Sequence, residues 1–526
     1  MKKLLAVMLA LALSLTALTV AVAEDAKSVN IAVTGTIGSL NPLLMDNTEV
    51  IKYAESLTYL PLVELNQELE FVGQLAESIT TEDNLTFTIK LRDDAVWSDG
   101  EPVTSQDVLF TFLAWTDPTV GSTGVVMYSL AGTDDFGYIE PGATEISGVT
   151  IIDDKTLTVE TKWQTALYTF ENNYGRYMLI LPEHVLGSVP REELLLNEYF
   201  NSPSVISGPY FISDYDLNHY VHYTANPNYF LGAPKIQYLN INILESSQLL
   251  TGLQSGEIDL IQQTMGDILL EDYDSVRALP NVTTYNGTPV TNQSIFINVQ
   301  NVPDERIRQA LLYGIDRETI LRELVYGNGE IVDGFLVSAS PYYDETLGVT
   351  GYNPELAAQL IAAAAADGAD TTITWHVNSG DATFVQAASF IAAQFAEMGL
   401  NIEIRTVDLS TLMDVANNGE IDVMSVQYTY APVDPYTDVS WLLSTDGWTL
   451  YDDEQVANAL LESQALTDID EITARYLLVD RATQIHVPMI SAYVISALGA
   501  TSNRLVNATP DVFGTFINVH EWDIAE

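Results

Sequence analysis

The acidic stretch VWSDGEPVTSQDV at residues 96–108 contains the residue types from which a catalytic loop or a metal loop could be built. A calcium loop of the EF-hand type requires regularly spaced acids and a closing Glu, and this stretch lacks that pattern. Its Asp-Gly pair at 99–100 is typical of a turn, because Gly accepts positive φ. Thr104 and Asp107 have the spacing of a capping box, before a helix that we predict from Val108 onward. The stretch is therefore interpreted as structural.

No other residue pattern predicts catalysis or a metal centre. The chain has no Cys, which excludes disulfides and Cys-ligated metals. His219 and His222 stand three apart in a predicted strand, so their side chains point to opposite faces and a shared metal ion is not expected. The sequence contains no G-x-S-x-G, H-E-x-x-H or P-loop motif. Its 72 acidic residues make chance carboxylate pairs abundant, so a glycosidase dyad cannot be inferred from them. No catalytic residue, metal or cofactor is predicted.

The elements that must position a functional site alternate between strands and helices. LTFTIKLRDDAVW alternates apolar and polar residues like a strand, whereas FVQAASFIAAQFAEMG has the helical pattern and ends at Gly399, a favourable left-handed cap. SGEIDL at 255–260 and NGEIDV at 418–423 each follow a helical pattern and place a Gly before a predicted buried strand. The interleaving predicts α/β layers, and the repeated helix-Gly-strand pattern suggests two lobes that are built alike.

The amino terminus and the overall charge predict an exported protein. MKKLLAVMLALALSLTALTVAVA has a basic start, an apolar stretch and a small-x-small end, the pattern of a secretory signal cleaved after Ala23. An uncleaved membrane anchor is the alternative, because the apolar stretch is nearly long enough to cross a bilayer. A lipid anchor at the cleavage site would need a Cys. The net charge of -52 repels phosphate backbones and anionic lipids, so nucleic acid is not an expected partner. We expect a periplasmic or extracellular protein without a lipid anchor.

Residues 75–112, LAESITTEDNLTFTIKLRDDAVWSDGEPVTSQDVLFTF, resemble the family 5 extracellular solute-binding proteins of ABC importers, the dipeptide, oligopeptide and nickel group. The shared pattern is L-A-E-S, a strand, L-R and then W-S-D-G-x-P-x-T-x-x-D-V. The resemblance continues in the same order through nearly the whole mature chain, in ILPEHV, SGPYFISDY, NPNYFLGAPKIQYLNINIL, LQSGEIDL, DERIRQALLYGIDRETI and YNPELAAQLIAAAAADG. The ordered set, rather than any single segment, identifies the chain as similar to this family.

The resemblance implies an α/β, two-lobed periplasmic-binding-protein fold, type II-like, with an extra third domain. After a signal peptide at 1–23, the implied division is lobe I at 24–65, 190–290 and 505–526, the extra domain at 66–189, inserted in lobe I, and lobe II at 291–504. Such proteins capture a solute in the cleft between the lobes, close over it and deliver it to a membrane permease, without making or breaking a bond. We expect a monomer whose partners are its ligand and an ABC permease complex.

Three interpretations of the function remain open at this point. An oligopeptide is the first candidate solute. An oligosaccharide is the second, since Tyr428, Tyr430, Tyr436 and Trp441 stand close together in sequence and aromatic rings can stack on sugars. A secreted hydrolase of peptides or glycosides is the third, although no catalytic motif supports it. A nickel-type solute is disfavoured by the scarcity of His ligands.

The resemblance also implies where ligand contacts fall in lobe II. Peptide-binding members have a loop that reads roughly W-x-x-D-x-x-[DE]-P, whose first Asp holds the α-ammonium of the peptide. The matching segment here is QYTYAPVDPYTD, in which Tyr428 takes the place of the Trp, Ala431 that of the Asp, and Asp434 that of the second acid. Ser425 stands where some oligopeptide binders carry an Arg. The usual ammonium anchor is therefore missing, and a buried ammonium without a carboxylate is costly. Either the anchor has moved or the ligand is not an ordinary peptide.

Further ligand contacts are expected near the amino terminus of the mature chain. The segment LNPLLMDNTE aligns with one whose backbone meets the ligand as an added strand, which makes Asp46, Asn47 and Thr48 candidates. Asp46 and Asp434 are the candidates for a displaced ammonium anchor. Tyr430 completes the expected ligand-binding set.

Overall fold

The computed structural model describes residues 26–45, 48–124 and 127–525. Three large sheets organise this part of the chain, with seven, six and four strands. We call the region around the seven-stranded sheet lobe I, the region around the six-stranded sheet lobe II, and the region around the four-stranded sheet the extra domain. This is the α/β, two-lobed fold with a third domain that the sequence predicts.

The lobe I sheet is mixed, and its buried centre carries the first strand of the chain. Ser28–Val33 (SVNIAV) pairs in parallel with Tyr238–Ile243 and with Leu260–Ile261, and its apolar residues are buried. In spatial order the strands are Val282–Asn286, Leu498–Ser502, Leu260–Ile261, Ser28–Val33, Tyr238–Ile243, Tyr220–Ala225 and Tyr210–Asp216.

The lobe II sheet has Thr291–Ile297 and Val423–Thr429 at its centre, and both strands are rich in buried residues. In spatial order its strands are Gly329–Glu330, Met489–Ile495, Thr291–Ile297, Val423–Thr429, Thr372–Asn378 and Asn401–Val407. The predicted repeat of the helix-Gly-strand pattern is confirmed, since SGEIDL leads into a strand of the lobe I sheet and NGEIDV into a strand of the lobe II sheet. Gly256 caps its helix at φ 77°, which only Gly adopts easily.

The extra domain is an antiparallel sheet with the predicted capping box beside it. Its strands are Ala76–Thr81, Thr86–Leu91, Thr156–Glu160 and Val149–Asp153, in spatial order. The capping box of Thr104 and Asp107 is confirmed, but its helix begins at Ser105, three residues before the predicted start, because Thr104 is the N-cap and Asp107 the third helical residue. The Asp107 carboxylate also accepts hydrogen bonds from the buried Trp97 indole, at 3.4 Å, and from the backbone N–H of Glu183, at 2.8 Å. The stretch thus has a structural role, because Asp107 connects its own helix to Trp97 and to the backbone at Glu183.

Helices cover both lobes and connect the strands. Those of eight or more residues are Glu49–Ser56, Ser105–Thr116, Ser246–Ser255, Glu305–Gly314, Pro354–Ala366, Ala382–Met398, Leu409–Asn417, Pro435–Leu442, Glu454–Ser463 and Ile469–His486. Shorter α-helical turns are Leu167–Phe170, Glu183–Leu186, Arg191–Leu194, Tyr273–Arg277 and Arg317–Glu323, and Glu171–Arg176 is a π-helix. The 3₁₀ turns are Pro42–Leu44, Glu198–Asn201, Leu270–Asp272, Glu345–Leu347 and Val519–Glu521. Two-stranded ribbons join Val63–Leu65 to Phe71–Gly73 and Leu505–Val506 to Asp523–Ile524.

The chain crosses between the lobes in two adjacent segments. One lies between Asn286 and Thr291, the other between Ile495 and Leu498, and the backbone N–H of Gly287 donates to the Ala497 carbonyl at 2.8 Å. The strand Leu498–Ser502 pairs within the lobe I sheet, so the predicted end of lobe II at 504 is about seven residues late. The sequence could not show this because two buried apolar strands follow each other with only a short break. The other predicted boundaries remain predictions.

Candidate functional site

Ser425 lies at the centre of the lobe II sheet, between Ile295 and Val377 of the neighbouring strands. It is 1% exposed, and its hydroxyl oxygen accepts a hydrogen bond from the indole N–H of Trp375 at 2.7 Å. The serine therefore satisfies a buried Trp of the core, which is the ordinary requirement for a buried indole. Its hydroxyl already has a protein partner, so the structure does not place Ser425 as a free polar group of the cleft.

Tyr428 and Tyr430 lie together at the end of the same strand, with ring centroids 4.8 Å apart. Tyr428 is half-buried and donates its hydroxyl proton to Asp438 at 2.8 Å. Tyr430 is buried in the lobe II core, with its hydroxyl 3.4 Å from that of Ser294. Burial raises the pKa of both phenols, and burial raises the pKa of Asp438 to about 7 against the hydrogen bond from Tyr428. Tyr430 is a core residue, and Tyr428 is at the edge of that core.

Asp434 connects lobe II to the extra domain. Its carboxylate is fully buried and accepts hydrogen bonds from the hydroxyl of Thr169 at 2.9 Å, the amide of Asn172 at 3.2 Å, and the hydroxyl of Thr437 at 2.8 Å. Thr169 and Asn172 belong to the extra domain, whereas Thr437 is in the helix that follows Asp434. Burial raises the pKa of the Asp434 carboxyl. Both oxygens of this residue thus have protein donors in an interdomain contact, and its role as the displaced ammonium anchor stays a prediction.

Several further contacts accompany Asp434 across the same interface. The side-chain amide of Asn84 donates to the Gln464 carbonyl at 3.1 Å, and the backbone N–H of Ala166 donates to the Gln464 side chain at 3.1 Å. The Tyr168 ring of the extra domain packs against Tyr342 of lobe II, with centroids 5.4 Å apart. The extra domain and lobe II are therefore in direct contact along a polar and aromatic surface.

The remaining predicted residues are only partly placed. Thr48 is exposed and is the N-cap residue of the helix Glu49–Ser56, whereas Asp46 and Asn47 lie outside the described residues. Ala431 is partly buried, and its carbonyl accepts from the backbone N–H of Asp434 at 3.1 Å. Tyr428, Tyr430, Ala431 and Asp434 are thus brought together by one strand end and its loop. Ser425 lies on the same strand but deeper in the core.

Two buried amides that the sequence reasoning missed lie just beyond the crossing between the lobes. Asn292 is 0% exposed and Gln293 is 1% exposed, and no described protein group lies within hydrogen-bonding distance of either side-chain amide. A buried polar group without a partner costs about 1–3 kcal/mol, so each such group calls for an explanation, of which a bound ligand is one. The signal was present in the sequence TNQSIFIN, where two amides open an otherwise apolar strand. These amides are the leading candidates for ligand contacts in lobe II.

The comparisons with known proteins agree with this architecture. A family model described as bacterial extracellular solute-binding proteins, family 5 Middle, matches residues 70–449. The chain belongs to this family. A Brucella melitensis protein that is provisionally named an ABC transporter peptide-binding protein is 28% identical over 515 residues, 93% of this chain and 92% of that protein.

Solved structures of family members show the same fold. The oligopeptide-binding protein AppA of Bacillus subtilis, in complex with a nonapeptide, superimposes with a TM-score of 0.74 at 20% identity, over 95% of this chain and 99% of that one. NikA of Brucella suis, in complex with Fe(III)-EDTA, superimposes with a TM-score of 0.78 at 17% identity, over 95% and 100% of the two chains. The fold thus accommodates solutes of different chemistry.

Membership in the family establishes the solute-binding role and the ABC transporter context. The family consists of substrate-binding proteins rather than enzymes. In the described part of the chain, no group of three or more His, Asp or Glu residues could hold a metal ion. Over the same residues, no helix is long and apolar enough to cross a membrane.

Proposed function

We propose that this protein captures oligopeptides in the cleft between lobes I and II and delivers them to an ABC permease complex. The observation that carries the peptide assignment is that the buried amides of Asn292 and Gln293 have no described protein partner; as successive strand residues they point to opposite faces and offer two separate contacts. Each amide presents both a donor and an acceptor, and a peptide bond offers the complementary pair. The names of the Brucella and Bacillus relatives support the same solute class.

An oligosaccharide is the second candidate solute, and the aromatic residues bear on it directly. The ring of Tyr430 packs against Tyr428 and Phe335 in the core of lobe II and so offers no stacking surface, whereas Trp441 is 38% exposed. Stacking on a sugar needs an accessible ring face. The predicted aromatic cluster therefore offers less surface than its sequence spacing suggests, which favours the peptide. Hydrolysis is not proposed.

We propose further that the protein acts as a monomer outside the cytoplasm. The signal sequence would be cleaved after Ala23, with no lipid anchor. The mature chain would be divided into lobes and extra domain at the predicted boundaries, except that lobe II ends at the crossing between Ile495 and Leu498. Asp46, Asn47 and Thr48 would meet the ligand from lobe I. Extracellular solute-binding relatives of the family, two of them named periplasmic, support this location.

Native mass spectrometry of the exported protein tests the assignment. After purification from rich medium without denaturation, we expect a protein mass that starts at residue 24 and a set of adducts with peptide masses. Adducts spaced by hexose units would contradict the peptide assignment and establish the oligosaccharide.

A matched pair of variants then tests the role of the amides. Asn292→Ala is expected to lose most of the adducts without lowering the thermal stability of the ligand-free protein, because no described protein group bonds to this side chain. Asn218→Ala, at an exposed position of lobe I, is the control and should retain them. Full retention of peptides by Asn292→Ala would refute the role of this residue.

A further inference from the structure

Asp267 stands at an edge of lobe I that faces the cleft. It follows the strand Leu260–Ile261, and its backbone N–H donates to the Thr34 hydroxyl at 3.0 Å. Thr34 itself follows the strand Ser28–Val33, and its backbone N–H donates to the Met265 carbonyl at 2.9 Å. The carboxylate therefore lies at the carboxyl ends of two parallel strands, the edge at which α/β sheets bind ligands. Its side chain is reached by solvent.

Asp381 occupies the corresponding edge of lobe II. It follows the strand Thr372–Asn378 and is the N-cap of the helix Ala382–Met398. One carboxylate oxygen accepts from the backbone N–H of Phe384 at 2.9 Å. The other oxygen, Oδ2, is buried and has no described protein group within hydrogen-bonding distance. Capping thus uses only half of the acceptor capacity of this carboxylate.

The two carboxylates approach each other across the lobes. Leu270, three residues after Asp267, packs against the hydrophobic core of lobe II that contains Phe384. The surrounding protein removes part of the water around Asp267, and this desolvation raises its pKa; the negative charge of Asp381 raises it further. Solvent still reaches the side chain. In the described residues neither carboxylate forms an ion pair with Lys, Arg or His. The contact between the lobes therefore brings together like charges that protein cations do not compensate.

Gln293 supplies an independent sign of a ligand at the same place. The sheet register pairs Gln293 with Tyr493, whose ring lies 6.4 Å from that of Phe384. Burial and then the charge of Asp381 raise the pKa of Tyr493, so this strand end is close to the helix cap. The Gln293 amide, 1% exposed and without a described protein partner, thus lies on the strand end that packs near the helix cap of Asp381.

We propose that Asp267 and Asp381 together bind the ammonium group of the ligand, with the carbonyl oxygen of the Gln293 side chain as a third acceptor. An ammonium has three donors and a positive charge, which matches two carboxylates and an amide oxygen. It would remove the repulsion between the carboxylates and so favour the closed arrangement. The site takes over the role of the carboxylate that Ala431 lacks. This inference rests on the proposed peptide function, and its ammonium comes from the amino terminus of a peptide or from a lysine side chain.

Four synthetic libraries of random peptides without arginine test the site. They have a free or an acetylated amino terminus, each with or without lysine, and their retention by the full mature protein is measured by native mass spectrometry. We expect retention of the amine-containing libraries to exceed that of the amine-free library by about tenfold or more. The library that is retained identifies whether the amino terminus or lysine supplies the ammonium.

The double variant Asp267→Asn and Asp381→Asn removes both charges, and Asn is also a good N-cap residue. In this variant we expect all four libraries to be retained alike. The control, Asp93→Asn with Asp135→Asn, changes the same charge at exposed positions of the extra domain and should keep the preference. Equal retention of all libraries by the unmodified protein would overturn the ammonium site alone, as would a preference that survives in the double variant. Retention of no library by the folded protein would contradict the peptide function, and with it this site.

Discussion

The contact between Asp434 and Thr169 should help to hold lobe II against the extra domain when the cleft is closed. The Thr169 hydroxyl donates to the buried carboxylate at 2.9 Å. Thr169 belongs to the extra domain, which precedes the first crossing segment in the chain, whereas Asp434 belongs to lobe II, which follows it. Thr169→Val keeps the shape of the side chain and removes the donor. If the contact forms only on closure, its loss weakens the closed arrangement and leaves the open one unchanged.

The magnitude follows from the number and the kind of bonds. A hydrogen bond to a charged group contributes about 1.5–3 kcal/mol, and a neutral one about 1 kcal/mol. Burial raises the pKa of Asp434, and two other donors remain after the substitution, so we take the lower value. A loss of about 1.5 kcal/mol raises the dissociation constant about tenfold.

Isothermal titration calorimetry with the ligand retained by the unmodified protein measures this constant. Thr161→Val is the matched control, because Thr161 is also buried but its hydroxyl donates to the carbonyls of Leu85 and Trp163 within the extra domain. The control should lower the thermal stability and leave the affinity unchanged. Unchanged affinity in Thr169→Val, with lowered stability of the ligand-free protein, would show that the contact persists when the lobes open and would refute the reasoning.

Two further predictions concern stability. Burial raises the pKa of Asp480 to about 7 against backbone hydrogen bonds, so the folded state holds a proton that the unfolded state releases near pH 4, and the free energy of unfolding falls as the pH rises from 5 to 7. Asp480→Asn should reduce this fall by about 2 kcal/mol in urea titrations at the two pH values, and an unchanged slope would contradict the assignment. Arg176 is 1% exposed and bonds to Glu64 at 2.6 Å and to Glu49 at 2.8 Å. Arg176→Met should cost about 3–5 kcal/mol by urea denaturation, against less than about 1 kcal/mol for Arg475→Met at the surface, and similar costs would contradict a buried network.

Local chemistry made part of the fold predictable. The spacing of Thr104 and Asp107 is enough to form a capping box, because both partners lie within one helical turn. Gly399 is the left-handed cap that its position predicts, at φ 93°. The error at the end of lobe II has the opposite origin, since membership of a strand in one sheet or another depends on pairing partners far away in the chain.

The candidate site shows the limit of the sequence more clearly. Tyr430 and Asp434 were expected in the cleft because of their order in a loop, but packing buries the one in a core and pairs the other with the extra domain. Asn292 and Gln293 were not among the expected ligand contacts, although two amides in an apolar strand are visible in the sequence. A side chain's neighbours across a lobe interface are not encoded at any fixed spacing.

The sequence by itself determined the family, the α/β elements with their caps, and the absence of a carboxylate at Ala431, because these depend on residue order and on contacts within a few residues. Only the tertiary structure decided which polar groups lack partners. Asp267 and Asp381 are more than a hundred residues apart in the chain and belong to different lobes, and only the folding of both sheets brings their charges to one cleft. The physical reason is that hydrogen-bond satisfaction and electrostatic pairing are properties of the whole packed chain.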